Sequence, residues 1–527
     1  MPVRFRVVAL VLFVGLSLSL PDSLQAQFDI LIRNGRLLDG TGNPWRQADV
    51  GIVNGRITAV GDLSDASAET EIDAEGLYVS PGFIDPHSHA GPGLTTEGLS
   101  QGQPILAQGV TTVMINPDGG GDPDLAAQRE NLLRYGLGPN VVQLVPHGGV
   151  RGAVMGPDDR DPTAWELDEM REMVREGMEQ GAWGLSSGPY YAPGSFSETE
   201  ELIELAKVAA QYNGVYTSHI RDEADYTIGV VAAVDEVIRI AREANITGIV
   251  THIKALGPRV WGYSQVIIDH MQQARREGLR IYADQYPYEA SGTSIGGALI
   301  PRWAQAGGRD SLNERLTNPE TRDRVRSDII ENLDRRGGAN RLQFQRHVAD
   351  PSIEGSTLGQ VAEQRGVHPA DLAMDLQLAG GAGLVSFNMD DGDIANFMRQ
   401  PWTMTSSDGG LVPMGQGVPH PRYYGPFPRK IRKYVLEEEV LTLPAAIRTM
   451  TSLTAGVFGM NDRGLIREGT VADVIVFDLE RLTDVATYTD PHHLSEGMVH
   501  VIVNGQFAIQ DGEFTGEMPG QVLRKGR

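Results

Sequence analysis

From Phe28 onward the chain runs in short stretches of alternating apolar and polar residues broken by turn signals: ILIRNGRLLDGTGNP, then ADVGIVNGRITAVG, then LYVSPG. A period of two punctuated by Asn-Gly and Gly-rich turns predicts short antiparallel strands. The far end repeats the style over residues 464–478 and 498–514, the latter with another Asn-Gly turn. Both chain ends are therefore expected to build one small β-sandwich domain, from residues 27–81 and 462–527.

Between them the period changes. Ser197 is placed to cap a helix, with Glu200 completing a capping box and Gly214 ending it, and a β-branched run over 215–219 follows. Helical patterns over 230–244 and 264–277 lead in the same way into strands at 248–252 and 279–285. Such consecutive βα units belong to a parallel sheet. Further strands are expected at 82–89, 109–116, 140–147, 181–187 and 403–408. Eight in all predict an α/β fold, a (β/α)8 barrel over residues 82–461, with an insertion between about 295 and 400.

The first 26 residues follow another pattern. Arg4 and Arg6 precede an apolar run from Val7 to Leu20, short of the roughly 20 residues that cross a bilayer. A polar stretch to Ala26 follows, so residues 1–26 read as a signal peptide. The mature protein is expected to be exported, periplasmic or extracellular, and not held by a membrane.

Composition narrows the chemistry. With 45 Lys+Arg against 69 Asp+Glu the net charge is −24, which argues against nucleic acid as a partner. The absence of cysteine excludes disulfides, thiolate metal sites and a cysteine nucleophile. Any metal site must use histidine and carboxylates.

The segment PGFIDPHSHA supplies such ligands, because His87 and His89 are two residues apart at the end of an apolar strand. On a strand, positions i and i+2 share a face, so the two imidazoles can grip one ion at the catalytic end of a barrel. His219, His252 and Asp408 close three further strands. Four histidines and a carboxylate at strand ends predict a metal centre. Lys254, two residues past His252, projects to the same side if that strand continues.

The strings GFIDPHSHA, GVTTV, TSHIRDE, THIKALG, DQYPYEAS, SSDGG and HPRYYGPFPR occur in this order over most of the chain. Together they resemble the amidohydrolase superfamily and, within it, the N-acyl-D-amino-acid deacylases, or D-aminoacylases. The resemblance implies one zinc position lined by His87, His89 and Asp408 and a second lined by His219 and His252. A bridging ligand is implied as well. Many relatives supply a carboxylated lysine on the fourth strand, but residues 181–188 contain none. The deacylase branch has a cysteine after GVTT, and that position here is Asp118. Pro117, Asp118 and Gly119 also spell an ordinary turn. A carboxylate bridge is harder than a thiolate, so manganese or cobalt are expected to serve alongside zinc, as one ion or two.

By the same resemblance Asp408 carries the catalytic proton, Lys254, Tyr288 and Ser291 cradle the substrate carboxylate, and Arg151 lies near the substrate, supported by His147. The expected activity is hydrolysis of an N-acyl-D-amino acid to a carboxylate and a D-amino acid. An exported dipeptidase would share the ligands and differ in pocket shape. A non-catalytic barrel would have lost them.

Overall fold

The structure, a computed structural model, describes residues 27–526 and, before them, Met1 alone. The expected signal peptide otherwise lies outside the described residues.

Eight parallel strands form the central barrel: β1 (Phe83–Asp85), β2 (Val110–Ile115), β3 (Asn140–Gln143), β4 (Gly184–Ser187), β5 (Val215–Ser218), β6 (Thr247–Val250), β7 (Ile281–Gln285) and β8 (Thr403–Thr405). β1 to β3 pair in sequence, as do β4 to β8, and Val145–Pro146 carries the end of β3 onto β4. The circle closes between β8 and β1. There the Ser407 amide donates to the Asp85 carboxylate (3.0 Å), the Asp408 amide donates to the His87 carbonyl (2.9 Å), and Gly409–Gly410 pairs with Ser88–His89.

Alternation along these strands sorts side chains into two layers. Ile84, Met114, Val142, Val215, Ile249 and Met404 pack together with Leu453 and Phe458 of the helix Ser452–Phe458. Leu185, Tyr216, Val250 and Ile281 pack instead against the helices Ala164–Glu179, Thr199–Gln211, Val230–Glu243 and Ser264–Arg276. Tyr216 and Ile249 are fully buried; a branched or aromatic side chain of this kind contributes about 2–3 kcal/mol on leaving water. The helix at 199–211 does not start as the capping box predicts. Glu198 stands at its N-cap without a side-chain bond, because the turn Gly194–Phe196 draws the Ser197 hydroxyl onto the Gly194 carbonyl (2.7 Å).

Both chain ends meet in one nine-stranded sheet running from Glu513–Phe514 to Arg56–Gly61, with Val474–Phe477 beside Tyr78–Pro81 at its middle. Val474 and Val476 enter the core of that sheet, while Ile475 and Phe477 enter a second core shared with Val110 and Val113 of β2. The last residues depart from the expected C-terminal part. Val522–Leu523 leaves the sheet and pairs with β3, where the Trp183 indole donates to the Leu523 carbonyl (3.0 Å). The insertion has its own core, built on Leu316, Ile329, Phe344 and Leu384. A three-stranded sheet (Ser291–Ser294, Gly383–Ser386, Leu342–Arg346) joins it to the catalytic end of the barrel. Among the described residues no helix is long and apolar enough to cross a membrane.

Candidate metal centre

All six ligand candidates converge beyond the ends of the strands. His87, His89, Asp118 and Asp408 offer four atoms within 4.8 Å of one another, and Asp118, His219 and His252 form a second such group. Asp118 is common to both. Its Oδ1 lies 3.3 Å from His87 Nε2, 3.3 Å from His252 Nε2 and 3.8 Å from His219 Nδ1, while Oδ2 faces His89 Nε2 at 3.3 Å. Asp408 Oδ1 stands 3.1 Å from His89 Nε2 and 3.6 Å from His87 Nε2.

The backbone is bent to make this happen. Asp118, His252 and Asp408 all have positive φ (56°, 35° and 47°), a region costing a non-glycine residue about 1 kcal/mol or more. Buried acceptors hold the bends: Asp284 takes the His252 amide (2.9 Å), and Asp85 takes the amides of His87 (3.1 Å) and Ser407 (3.0 Å). Burial pushes the Asp85 carboxyl up to about 7 although three hydrogen bonds oppose it. Position 188 admits only glycine, since a Cβ there would sit 2.1 Å from the Asp118 carbonyl oxygen.

The donor set fits a divalent metal. His87 Nε2, Asp118 Oδ1 and both ring nitrogens of His219 are buried and make no hydrogen bond among the described residues. Unsatisfied buried acceptors are costly, and an ion shared among them removes that cost. Imidazole nitrogens with carboxylate oxygens, and no sulfur, suit zinc, manganese or cobalt.

A second layer of charge surrounds this cluster. Glu223 Oε1 lies 3.1 Å from His252 Nδ1 and accepts from Lys254 Nζ (2.5 Å), while Oε2 is 3.8 Å from His219 Nε2. Lys254 Nζ lies 2.7 Å from the same Nδ1, so Lys254 and Glu223 together orient His252 with Nε2 inward. Burial would raise the Glu223 carboxyl, but Lys254 and the two histidines hold it well below the usual carboxylate range. On the other side Arg422 Nη1 pairs with Asp408 Oδ2 (2.7 Å) and keeps Asp408 ionised against its burial.

A cavity of about 1220 Å³ opens over the cluster, lined among others by Lys254, Tyr286, Ser291 and Arg422. Lys254 Nζ and the Arg422 guanidinium lie 5.7 and 4.8 Å from the centre of the Tyr286 ring, so the tyrosine stands beside two cations.

Two of the expected substrate residues are elsewhere. Tyr288 is buried away from the cavity lining and donates to the Pro421 carbonyl (3.4 Å), because β7 ends at Gln285 and the chain past it no longer alternates as a strand. Arg151 is also fully buried and absent from the lining. Its guanidinium pairs with Glu201, which also accepts from His147 Nε2 (2.7 Å), and donates to the Arg160 carbonyl (2.7 Å). Both residues lie in the helix His147–Met155, which turns their side chains toward the helix Thr199–Gln211. Lys254 and Ser291 do line the cavity, although Lys254 is already paired with Glu223 and Ser291 with Asn388 (3.1 Å).

Tyr286 and Arg422 were not singled out for this site from sequence, whereas Glu223, four residues after His219 in TSHIRDE, was expected to orient that loop rather than meet substrate. The string HPRYYGPFPR carried Arg422, but only its return to Asp408 across a long loop shows what it meets.

Comparisons with known proteins agree with this geometry. The model of the amidohydrolase family matches residues 70–509. The chain is 34% identical over 522 residues to an N-acyl-D-glutamate deacylase of Alcaligenes xylosoxydans xylosoxydans, covering 95% of this chain and 98% of that one. It is 33% identical over 522 residues to a D-aminoacylase of the same organism, covering 94% and 98%. Among solved structures, the N-acyl-D-glutamate deacylase of Bordetella bronchiseptica, in complex with zinc and a phosphonate inhibitor, superposes with a TM-score of 0.80 at 32% identity, covering 94% of this chain and 99% of that one. A matching family model over most of the chain and relatives of this identity over its full described length leave one assignment: the chain belongs to the amidohydrolase family, on its N-acyl-D-amino-acid deacylase branch, and is a metal-dependent amidohydrolase.

Proposed function

We propose that the protein is a zinc-dependent deacylase that hydrolyses the amide bond of N-acyl-D-amino acids. The observation that carries this reading is the shared carboxylate of Asp118 between two ligand groups, at the floor of a cavity that also holds the cations of Lys254 and Arg422. On this reading His87, His89 and Asp408 would hold one ion and His219 and His252 a second, with Asp118 available to both groups. When bound, such ions supply Lewis-acid polarisation of the scissile carbonyl and lower the pKa of water.

The chain's own groups do the rest. Asp408, kept ionised by Arg422, takes the proton of the attacking water and passes it to the leaving nitrogen as the C–N bond breaks. Glu223 fixes the His252 ring. Lys254, Ser291, Tyr286 and Arg422 receive the free carboxylate, a task suited to charge-assisted hydrogen bonds. The enzyme works outside the cytoplasm, a reading supported by the charged and apolar leader at 1–26.

The test is a panel of N-acetyl-D-amino acids, their L enantiomers and unblocked dipeptides, assayed on protein of measured metal content. Preference for the N-acyl-D series with metal present supports the reading. Preference for free dipeptides points to the dipeptidase alternative, and turnover unchanged after chelation overturns it. Export is checked by intact mass, which should begin at Gln27.

A further inference from the structure

Arg422 meets Asp408 from a strap that begins HPRYYG, and this strap lies close against the strand beside its target. A Cβ at position 409 would stand 2.7 Å from the Arg422 carbonyl oxygen, so only glycine leaves room for it. The guanidinium enters a slot of the same kind, between the Tyr286 ring, 4.8 Å from its centre, and Gly292, where a Cβ would stand 3.1 Å from Nη2. In so narrow a slot the guanidinium goes where its backbone sends it.

His420 fixes that backbone from two sides. Its Nδ1 accepts from the Arg422 amide (2.9 Å), capping the turn Pro421–Tyr423, and its Nε2 donates to the Ala290 carbonyl (2.9 Å). The partners decide the tautomer, since an amide N–H can only donate and a carbonyl only accept. Burial and the nearby Arg422 hold the ring well below the usual histidine range, so it stays neutral and keeps both bonds. Ala290 precedes the strand Ser291–Ser294, whose first residue lines the cavity, and the ring therefore sets the separation between the strap and that wall. Tyr288 and Tyr488 pack edge-on against it, each with its ring centre 5.2 Å away. A rotated ring would lose both bonds.

His420 is itself fully buried and absent from the cavity lining, so it meets no substrate. We propose that His420 is a positioning residue: it acts through Arg422, whose guanidinium it sets on the Asp408 carboxylate that carries the proton. This rests on Asp408 as the proton carrier and not on which amide is cleaved.

A double-mutant cycle tests it on the intact metal-loaded protein. The substrate is the fastest one in the panel of N-acyl-D, N-acyl-L and dipeptide compounds, so a failed deacylase reading changes the substrate and leaves the cycle standing. His420→Leu removes both bonds and should lower kcat/KM about 100-fold, the cost of misplacing a group by about 1 Å, with metal content per chain at the parental value. In an Arg422→Gln background the same change should cost about twofold or less, because the group it positions is gone. His420→Asn puts an amide oxygen where Nδ1 accepts and should recover about fivefold of the loss, the worth of one hydrogen bond. Losses that multiply give the ring a role apart from Arg422 and overturn the inference. So does parental kcat/KM in His420→Leu, a loss of metal in it, or His420→Asn no better than His420→Leu. Amide exchange over residues 422–425, read without substrate, should quicken in His420→Leu and slow again in His420→Asn. An unchanged rate overturns the inference whatever the panel shows.

Discussion

Two buried clusters of histidine and carboxylate stand close together in this barrel, and they behave differently. In one, His147, Arg151 and Glu201 pair with one another, and His147 Nε2 reaches Glu201 at the 2.7 Å of an ordinary hydrogen bond. In the other, around Asp118, the same atom types face each other at 3.1 to 3.8 Å. That spacing is too long for strong hydrogen bonds and close to what two ligands of one ion show, since bonds of about 2.1 Å at tetrahedral angles leave donor atoms about 3.4 Å apart. Proximity of residue types is therefore a poor guide to chemistry. What marks the reactive cluster is a shell of acceptors that hold one another apart.

The largest effect should come from removing the shared acceptor. Asp118→Asn keeps the shape and tolerates the left-handed backbone better than alanine would, because asparagine populates that region more readily. The loss of charge should lower metal content per chain and reduce kcat by about 1,000-fold, the upper end for losing one preorganised charge-stabilising group. Metal analysis alongside circular dichroism checks it. Full metal loading and full turnover would make Asp118 the plain turn residue that Pro117 and Gly119 suggest.

Glu201→Gln is the matching change in the other cluster. Breaking a buried pair costs about 3–5 kcal/mol, so denaturant midpoints should fall while metal content and kcat, measured well below the melting temperature, stay at parental values. A loss of metal in this variant would erase the distinction between the clusters.

The contrast also explains what could be read in advance. His87, His89, His219, His252 and Asp408 were legible because each sits at a strand end, and strand ends are fixed by local alternation. Asp118 was legible by its register in GVTTVMINPDGG, although Pro117 and Gly119 left a second reading open. Arg151 was misjudged because its helix decides where the guanidinium goes, and that helix is aimed by packing against residues 199–211. Tyr288 was misjudged because alternation stops at Gln285. Arg422 becomes visible only when a distant loop closes over the barrel.

Glu223→Gln sits between the two clusters in kind, a buried carboxylate that touches a ligand without facing the shared acceptor. Outer carboxylates on metal-bound histidine are worth 10- to 100-fold in affinity, and the isosteric amide retains one acceptor, so about tenfold weaker metal binding is expected. Competition with a chelator measures this directly. An unchanged affinity would assign Glu223 to holding Lys254 alone.

The smallest effect concerns a third kind of buried charge, one with no acid beside it among the described residues. Lys430 donates to the hydroxyls of Thr405 (2.8 Å) and Thr449 (2.9 Å), behind the end of β8, and burial pushes its amine down to about 7 from an ordinary 10.5. Above pH 7 the folded protein has released this proton while the unfolded chain still binds it. Stability therefore rises with pH from about 7 toward 10.5, and the full cost of burying the charge is felt below 7. Lys430→Met removes the titrating group at similar volume. The stability difference between variant and parent should favour the variant and shrink by about 1 kcal/mol from pH 7 to pH 8, as read from denaturant unfolding at the two values. Taking the difference cancels the many surface carboxylates, which titrate alike in both proteins. A difference that does not move with pH would mean that Lys430 stays charged in the fold, held by the two threonines as firmly as the ion pairs of the other clusters hold theirs.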